Sequence, residues 1–133
     1  MRNMTDMDFS RTPFIVIWEV TQSCDLACLH CRANARTCRD PFELTTRQGY
    51  DLIDDIASFG SPLLVLTGGD PLKRQDLYDL ITYSVGKGLR TTVSPSVTPL
   101  PTNESIQRLS EAGISRIAVS LDGSTNEIHD SFR

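Results

Sequence analysis

The feature that most constrains the fold is a short apolar run followed by a helical pattern, repeated along the chain. β-branched and other apolar residues predict strands at 14–20, 63–69, 89–95 and 115–123. From the second run onward the runs recur roughly every 25–30 residues, which is the spacing of strand–helix–strand units. The sequence therefore predicts an α/β fold built on a parallel sheet.

The intervening segments carry the signals of helices. Thr45 and Gln48 fit a capping box, and Asn103 is the expected cap of the last complete helix. The first strand, 14-FIVIWEV-20, has a nearly continuous apolar run, which predicts burial on both of its faces. The predicted helices cover 45–60, 75–88 and 103–113, with a fourth expected to begin near 128.

Polar and glycine-rich residues cluster where the predicted strands end. They occupy 67–70, 94–98 and 120–123, and a cysteine-rich loop follows the first strand. The carboxyl ends of parallel strands meet on one rim, which carries the site in βα barrels and open α/β sheets. We therefore expect these four segments to converge.

Three of the four cysteines lie within eight residues, in 24-CDLACLHC-31. The start of the chain lacks a signal peptide, so we expect a cytoplasmic protein whose clustered thiols bind metal or act in redox chemistry. A zinc site would need Cys38 as a fourth ligand beside Cys24, Cys28 and Cys31. A [4Fe–4S] cluster would need only those three and would leave one iron open. Both alternatives remain at this point.

Composition excludes other classes of function. The net charge is −4, the isoelectric point is about 5.0, and the basic residues are dispersed, so a nucleic-acid partner is not expected. No apolar run reaches the ~20 residues of a membrane span, so no membrane partner is expected.

The cysteine spacing resembles the signature of the radical S-adenosylmethionine (SAM) superfamily. The segment 66-LTGGDPL-72 is similar to the Gly-Gly-Glu-Pro motif of that family, with Asp70 in place of glutamate. The segments 120-SLDG-123 and 129-HDSFR-133 resemble the subgroup that builds peptide-derived cofactors and modifies haem precursors, many members of which carry a SPASM extension. The resemblance runs from about Pro13 to Arg133.

The resemblance implies a partial parallel (β/α) barrel of the radical SAM type, with about four of its six βα units present. It implies an N-terminal arm at 1–13 and the N-terminal part of the core domain at 14–133, apparently truncated. It also implies an enzyme that binds a [4Fe–4S] cluster and SAM and generates a 5′-deoxyadenosyl radical for hydrogen abstraction. The expected partners are an electron donor such as flavodoxin or ferredoxin and an unidentified substrate, either a haem precursor or a peptide.

The resemblance also assigns roles to residues. The predicted cluster ligands are Cys24, Cys28 and Cys31, and His30 is expected beside the adenine. The motif expected at the SAM amino group comprises Gly68, Gly69, Asp70 and Pro71. Ser120 is expected at the methionine carboxylate or the ribose, and Ser94 at SAM or substrate.

The chain departs from the family pattern at two places. Asp70 is one methylene shorter than glutamate, and the third strand ends in Ser-Pro-Ser instead of the usual Asn-Gly. Later strands that would flank adenine and substrate are not in the sequence. A catalytically incompetent fragment is therefore a third interpretation, beside the enzyme and the zinc-binding interaction module.

Overall fold

The fold is a four-stranded parallel sheet with helices between the strands. The structure is a computed structural model that describes residues 8–133, so residues 1–7 of the predicted arm lie outside it. The strands pair in chain order, β1-β2-β3-β4, and every pair is parallel. The strands are β1 (Ile15–Thr21), β2 (Leu63–Gly68), β3 (Arg90–Val93) and β4 (Arg116–Ile117). The helices are α1 (Thr46–Ser58), α2 (Leu77–Gly86), α3 (Asn103–Glu111) and α4 (Asn126–Asp130), with a 3₁₀ turn at Pro71–Lys73. The predicted α/β class is confirmed.

One face of the sheet packs against the helices and forms the core. Trp18 of β1 is in register with Leu66 of β2, which is in register with Val93 of β3, so their side chains share this face. The buried apolar residues of the core come from the sheet, from α1, α2 and α3, and from the turn before β3. They are Val20, Ile53, Ile56, Leu64, Leu66, Leu77, Leu80, Ile81, Leu89, Val93 and Leu109.

The opposite face of β1 is open, which makes the prediction of a doubly buried β1 wrong. Ile15 is 41% exposed and Ile17 is 55% exposed, whereas Val20 is buried. The helices of the described residues pack beneath Trp18 and Leu66, and the side chains on the other face remain accessible. An apolar run alone cannot distinguish a strand covered on both faces from one whose second apolar face is open.

The start of α1 agrees with the sequence prediction, whereas the start of α3 differs from it. Thr45 caps α1, and the full capping box with Gln48 is present. Asn103 is not the cap of α3, because it is already the first helical residue. The cap is Thr102, whose hydroxyl accepts a hydrogen bond from the Ser105 amide at 3.1 Å. Thr102 and Asn103 are both residue types that cap helices, and the sequence prediction chose Asn103, which is wrong.

The fourth strand is much shorter than predicted. The expected strand at 115–123 is reduced to Arg116–Ile117, and the residues from Ala118 to Leu121 are exposed. In the described part of the chain, β4 pairs only with β3 and is therefore an edge strand. An edge strand lacks the second set of ladder hydrogen bonds that would keep Val119 and Leu121 extended in the sheet.

None of the helices formed by residues 8–133 has the length and apolar character needed to cross a membrane.

Candidate functional site

The cysteine loop, residues 22–44, begins at the carboxyl end of β1 and is closed at its base by backbone hydrogen bonds. Ser23 and Arg36 form an isolated parallel bridge. The Cys24 amide donates to the Arg36 carbonyl at 2.7 Å, and the Arg36 amide donates to the Gln22 carbonyl at 2.8 Å. Cys24 therefore sits in a backbone framework that fixes it relative to the end of β1.

Glu43 ties the far end of the loop to the same strand. Its Oε1 accepts hydrogen bonds from the Thr21 hydroxyl and the Gln22 amide, both at 2.8 Å. Its Oε2 accepts from Arg39 at 2.8 Å. One carboxylate thus joins both ends of the loop.

Arg74 also ties the cysteine loop to β1, from the helix side of the sheet, and together with Glu43 it forms the anchor of the loop. Its guanidinium is buried and donates to the carbonyls of Val20 at 2.7 Å and Leu44 at 2.9 Å. It also pairs with Asp76 at 2.8 Å and 3.0 Å. Burial raises the pKa of Asp76, but hydrogen bonds from Arg74 and Thr46 outweigh it and lower the pKa below its usual value.

The loop's remaining basic residues are paired with carboxylates. Arg32 contacts Glu19 at 2.8 Å, which brings the loop against the open face of β1. Lys73 pairs with Asp25 and joins the turn after β2 to the loop. The other two pairs are Arg36–Asp40 at 3.1 Å and Arg39–Glu43 at 2.8 Å. The first two pairs connect the loop to β1 and to the turn after β2, and the other two lie within the loop.

The three clustered cysteines differ in burial and in hydrogen bonding. Cys24 is buried, Cys28 and Cys31 are half-buried, and Cys38 is exposed. The Leu26 amide donates to Cys24 Sγ and the Ala35 amide donates to Cys31 Sγ, each at 3.4 Å. Amide hydrogen bonds to sulfur are typical of iron–sulfur ligands, so the donor chemistry fits a cluster. Within residues 8–133 no three His, Cys, Asp or Glu side chains are gathered to hold a single metal ion.

The two glycines at the end of β2 are required because the segment that leads into the cysteine loop passes directly against them. A Cβ on Gly68 would lie 2.2 Å from the Thr21 carbonyl oxygen, and one on Gly69 would lie 2.5 Å from that of Ser23. Gly68 also has φ +139°, a conformation that side chains disfavour. The Gly69 amide donates to Thr21 and the Asp70 amide to Ser23, both at 2.7 Å. The predicted SAM motif and the predicted ligand loop are therefore one hydrogen-bonded unit.

Asp70 is fully buried, and both of its carboxylate oxygens have partners within the chain. Oδ1 accepts from the Leu72 amide at 3.1 Å, and Oδ2 accepts from the Thr98 hydroxyl at 2.9 Å. Pro71 is buried behind it and begins the 3₁₀ turn. In this structure the Asp70 side chain braces the turn after β2.

The segment after β3 adds two residues that sequence reasoning missed. Ser96 Oγ donates to the Gly69 carbonyl at 2.5 Å and lies 3.5 Å from Cys24 Sγ. Thr98 binds Asp70, as described above. Ser94, the residue selected from the sequence, donates only its amide to Leu66 in the hydrogen bonds of the described residues. The Ser-Pro-Ser sequence marked the right segment, but nothing in it indicated which serine faces the loop.

The end of the chain packs on the tip of the cysteine loop. The His30 ring meets Phe132 edge-on at 5.6 Å between centroids, and its Nε2 lies 3.8 Å from Asp122. The Leu29 amide donates to the Phe132 carbonyl at 2.9 Å. Arg133 donates to Asp122 at 3.1 Å and to the Ser96 carbonyl at 2.8 Å. His30 is half exposed and lies on the outer side of this cluster.

The predicted site residues are therefore only partly brought together. Contacts link Cys24, Gly69 and Asp70 through Ser23 and Ser96. Ser120 is exposed beyond β4 and makes no hydrogen bond with another described residue. Its assigned role at the methionine carboxylate or the ribose stays a prediction.

Comparison with known proteins decides the family. The model of the radical SAM superfamily matches residues 18–133. The chain belongs to the radical SAM superfamily. It is 48% identical over 119 residues to a protein of Oleidesulfovibrio alaskensis named AdoMet-dependent heme synthase, covering 90% of this chain and 30% of that protein. It is 34% identical over 121 residues to the mycofactocin maturase MftC of Mycobacterium tuberculosis, covering 91% of this chain and 30% of that protein.

The radical SAM fold is also found among solved structures. The crystal structure of BtrN in an open conformation matches with a TM-score of 0.67 and 19% identity, covering 87% of this chain and 53% of that chain. This likeness confirms the predicted partial radical SAM α/β barrel. The chain spans about a third of the length of the curated relatives that it matches.

Proposed function

We propose that this chain forms the cluster-binding and SAM-binding part of a radical SAM enzyme. The observation that carries the proposal is the direct joining of the two motifs through Gly69–Thr21 and Asp70–Ser23, each at 2.7 Å. Because these bonds hold the two residues Thr21 and Ser23 that lead directly into Cys24, the glycine turn and the first cysteine keep a fixed relation. Family membership supports the same assignment.

In this proposal Cys24, Cys28 and Cys31 bind three irons of a [4Fe–4S] cluster and leave the fourth iron for SAM. The amides of Leu26 and Ala35 donate to two of the three sulfurs and orient them. When bound, the reduced cluster and SAM supply a 5′-deoxyadenosyl radical that abstracts a hydrogen atom from the substrate. The chain's own residues bind, orient and partly bury this group.

The motif after β2 supplies the contacts for the SAM amino group. The Asp70 carboxylate is buried and accepts from Leu72 and Thr98, so the acceptors that we propose are backbone carbonyls of Gly68 to Pro71. The carbonyls of Gly69, Asp70 and Pro71 each accept one hydrogen bond within the chain, so SAM would use the second lone pair of such an oxygen. This arrangement explains how aspartate replaces glutamate, because a side chain that braces the turn need not reach the ligand. We also propose His30 beside the adenine, Ser94 at SAM or substrate, and Ser120 at the methionine carboxylate or the ribose.

The proposed partners are a one-electron reductant of the flavodoxin or ferredoxin kind and a substrate of the haem-precursor class. The 48% identical relative is named an AdoMet-dependent heme synthase and the 34% identical relative a mycofactocin maturase, so the higher identity favours the haem precursor. A peptide substrate is the second candidate. Hydrogen abstraction assays with each class of substrate would separate the two.

Anaerobic reconstitution with iron and sulfide tests the cofactor directly. We expect about four irons and four sulfides per chain, with the broad visible absorption of an iron–sulfur cluster. The Cys28→Ala variant should lose most of the iron, whereas Cys38→Ala should retain it because Cys38 is exposed and outside the three-cysteine motif. Binding of one zinc ion that requires all four cysteines would contradict the proposal and support the zinc-binding interaction module.

A further inference from the structure

Ser96 contacts both halves of the candidate site with a single hydroxyl group. Its Oγ donates to the Gly69 carbonyl at 2.5 Å. The same oxygen lies 3.5 Å from Cys24 Sγ, and in the thiol form of Cys24 the sulfur is the donor. Sequence motifs assign no role to Ser96, because the family pattern at this strand end points to a different residue type.

The position of Ser96 is fixed from several directions. Its carbonyl accepts from the guanidinium of Arg133 at 2.8 Å. Val97, the next residue, has φ +57°, which is unfavourable for a β-branched side chain. Thr98 then donates to Asp70 at 2.9 Å. The strained residue thus lies between two hydroxyl groups that both reach back to the turn after β2.

The contact between Ser96 and Cys24 changes in character when Cys24 binds a metal. A cysteine binds metal as a thiolate, which accepts hydrogen bonds. A serine hydroxyl has one proton to donate, so beside a Cys24 thiolate Ser96 would share the proton that it donates to the Gly69 carbonyl with the sulfur, in a three-centre hydrogen bond. Hydrogen bonds to cluster sulfurs are among the factors that set the reduction potential of iron–sulfur clusters.

We infer that Ser96 is a positioning residue that links the cluster ligand Cys24 to the SAM-binding turn at Gly69. Its hydroxyl fixes the separation of these two groups and tunes the reduction potential of the cluster. This inference rests on the proposed function, since it assumes a cluster on Cys24 and SAM at the glycine turn.

The test compares Ser96→Ala, Ser96→Thr and the unchanged chain after anaerobic reconstitution. A matched control is Ser110→Ala, because Ser110 is an exposed serine on α3. Two quantities are measured by electron paramagnetic resonance (EPR): the reduction potential of the cluster, and the SAM concentration that half-saturates the change in its spectrum. Circular dichroism checks that each variant keeps its fold.

We expect Ser96→Ala to shift the potential to a more negative value. At a fixed applied potential the ratio of reduced to oxidised cluster should fall about 3- to 10-fold, as for loss of one hydrogen bond. The half-saturating SAM concentration should rise by a smaller factor, about 2-fold, because the same single proton serves both acceptors. Ser96→Thr should retain the values of the unchanged chain because it keeps the hydroxyl, and Ser110→Ala should have no effect.

The outcomes separate the two proposals. A Ser96→Ala variant with an intact cluster and unchanged potential and SAM binding overturns the positioning role and leaves the proposed function standing. Failure of the unchanged chain to form a cluster overturns both. If Ser96→Ala binds no cluster, a normal potential in Ser96→Thr supports the role of the hydroxyl, and failure of both variants overturns it.

Discussion

Gly68 is the single residue on which the joining of the two motifs most depends. The Thr21 carbonyl oxygen would lie 2.2 Å from an added Cβ, and that carbonyl accepts the Gly69 hydrogen bond. A side chain here would push the start of the cysteine loop away from the turn after β2. Glycine is thus required at position 68 because the backbone at the end of β1 passes too close to it for a side chain.

We therefore predict that Gly68→Ala lowers the free energy of unfolding by roughly 1–3 kcal/mol, from backbone strain and overpacking. The matched control is Gly86→Ala, because an added Cβ on that helical glycine meets no atom within 4 Å. It should raise the free energy of unfolding by up to about 1 kcal/mol, through helix propensity. Urea denaturation of both variants measures the difference. Equal effects of the two substitutions would count against the close approach at Gly68.

Asp76 gives the anchor of the cysteine loop a pH dependence. Its pKa in the folded chain is lowered from the ordinary value of 3.8, despite burial, by hydrogen bonds from Arg74 and Thr46. A carboxylate with a lowered pKa stabilises the fold above its unfolded pKa, and this contribution is lost as the pH falls below about 4.

We predict that the free energy of unfolding of the apoprotein falls between pH 5 and pH 3, roughly the range in which carboxylates protonate. Asp76→Asn should weaken this dependence and lower stability at pH 7, because the buried Arg74 loses its charged partner. Urea denaturation at several pH values provides the measurement. An unchanged pH profile in Asp76→Asn would show that the pair does not contribute.

At the scale of elements, one face of β1 packs on the core and the other face is exposed. Leu66 of β2 is fully buried against the helices, whereas Ile17 of β1 is 55% exposed on the other face. We predict that Leu66→Ala costs about 2–5 kcal/mol and that Ile17→Ala costs less than about 1 kcal/mol. Thermal or urea unfolding of the two variants measures both. A cost for Ile17→Ala as large as that for Leu66→Ala would mean that the open face is covered in solution.

Local patterns predicted those elements whose causes are local. The capping box of Thr45 and Gln48 depends on four consecutive residues, and it is present as predicted. The length of β4 depends on a neighbouring strand, and an apolar run such as 115–123 contains no information about that neighbour. The same limit explains why β1 was expected to be buried on both faces.

At the scale of the whole molecule, sequence motifs located the site but not its internal contacts. The motifs identified Cys24 and Gly69 correctly as parts of one rim, and the structure joins them through Thr21 and Ser23. The contribution of Ser96 could not be predicted, because it requires knowing how the segment after β3 folds back toward β1. The assigned roles of His30 and Ser120 depend on SAM itself and stay predictions.

The central claim is that the three-cysteine loop and the glycine turn together bind a [4Fe–4S] cluster with an iron open to SAM. The most direct measurement is the EPR spectrum of the reduced, reconstituted chain with and without SAM. We predict a cluster signal that changes on addition of SAM and that is absent from Cys24→Ala, Cys28→Ala and Cys31→Ala. A signal that SAM leaves unchanged, or one that persists when these cysteines are replaced, would contradict the account.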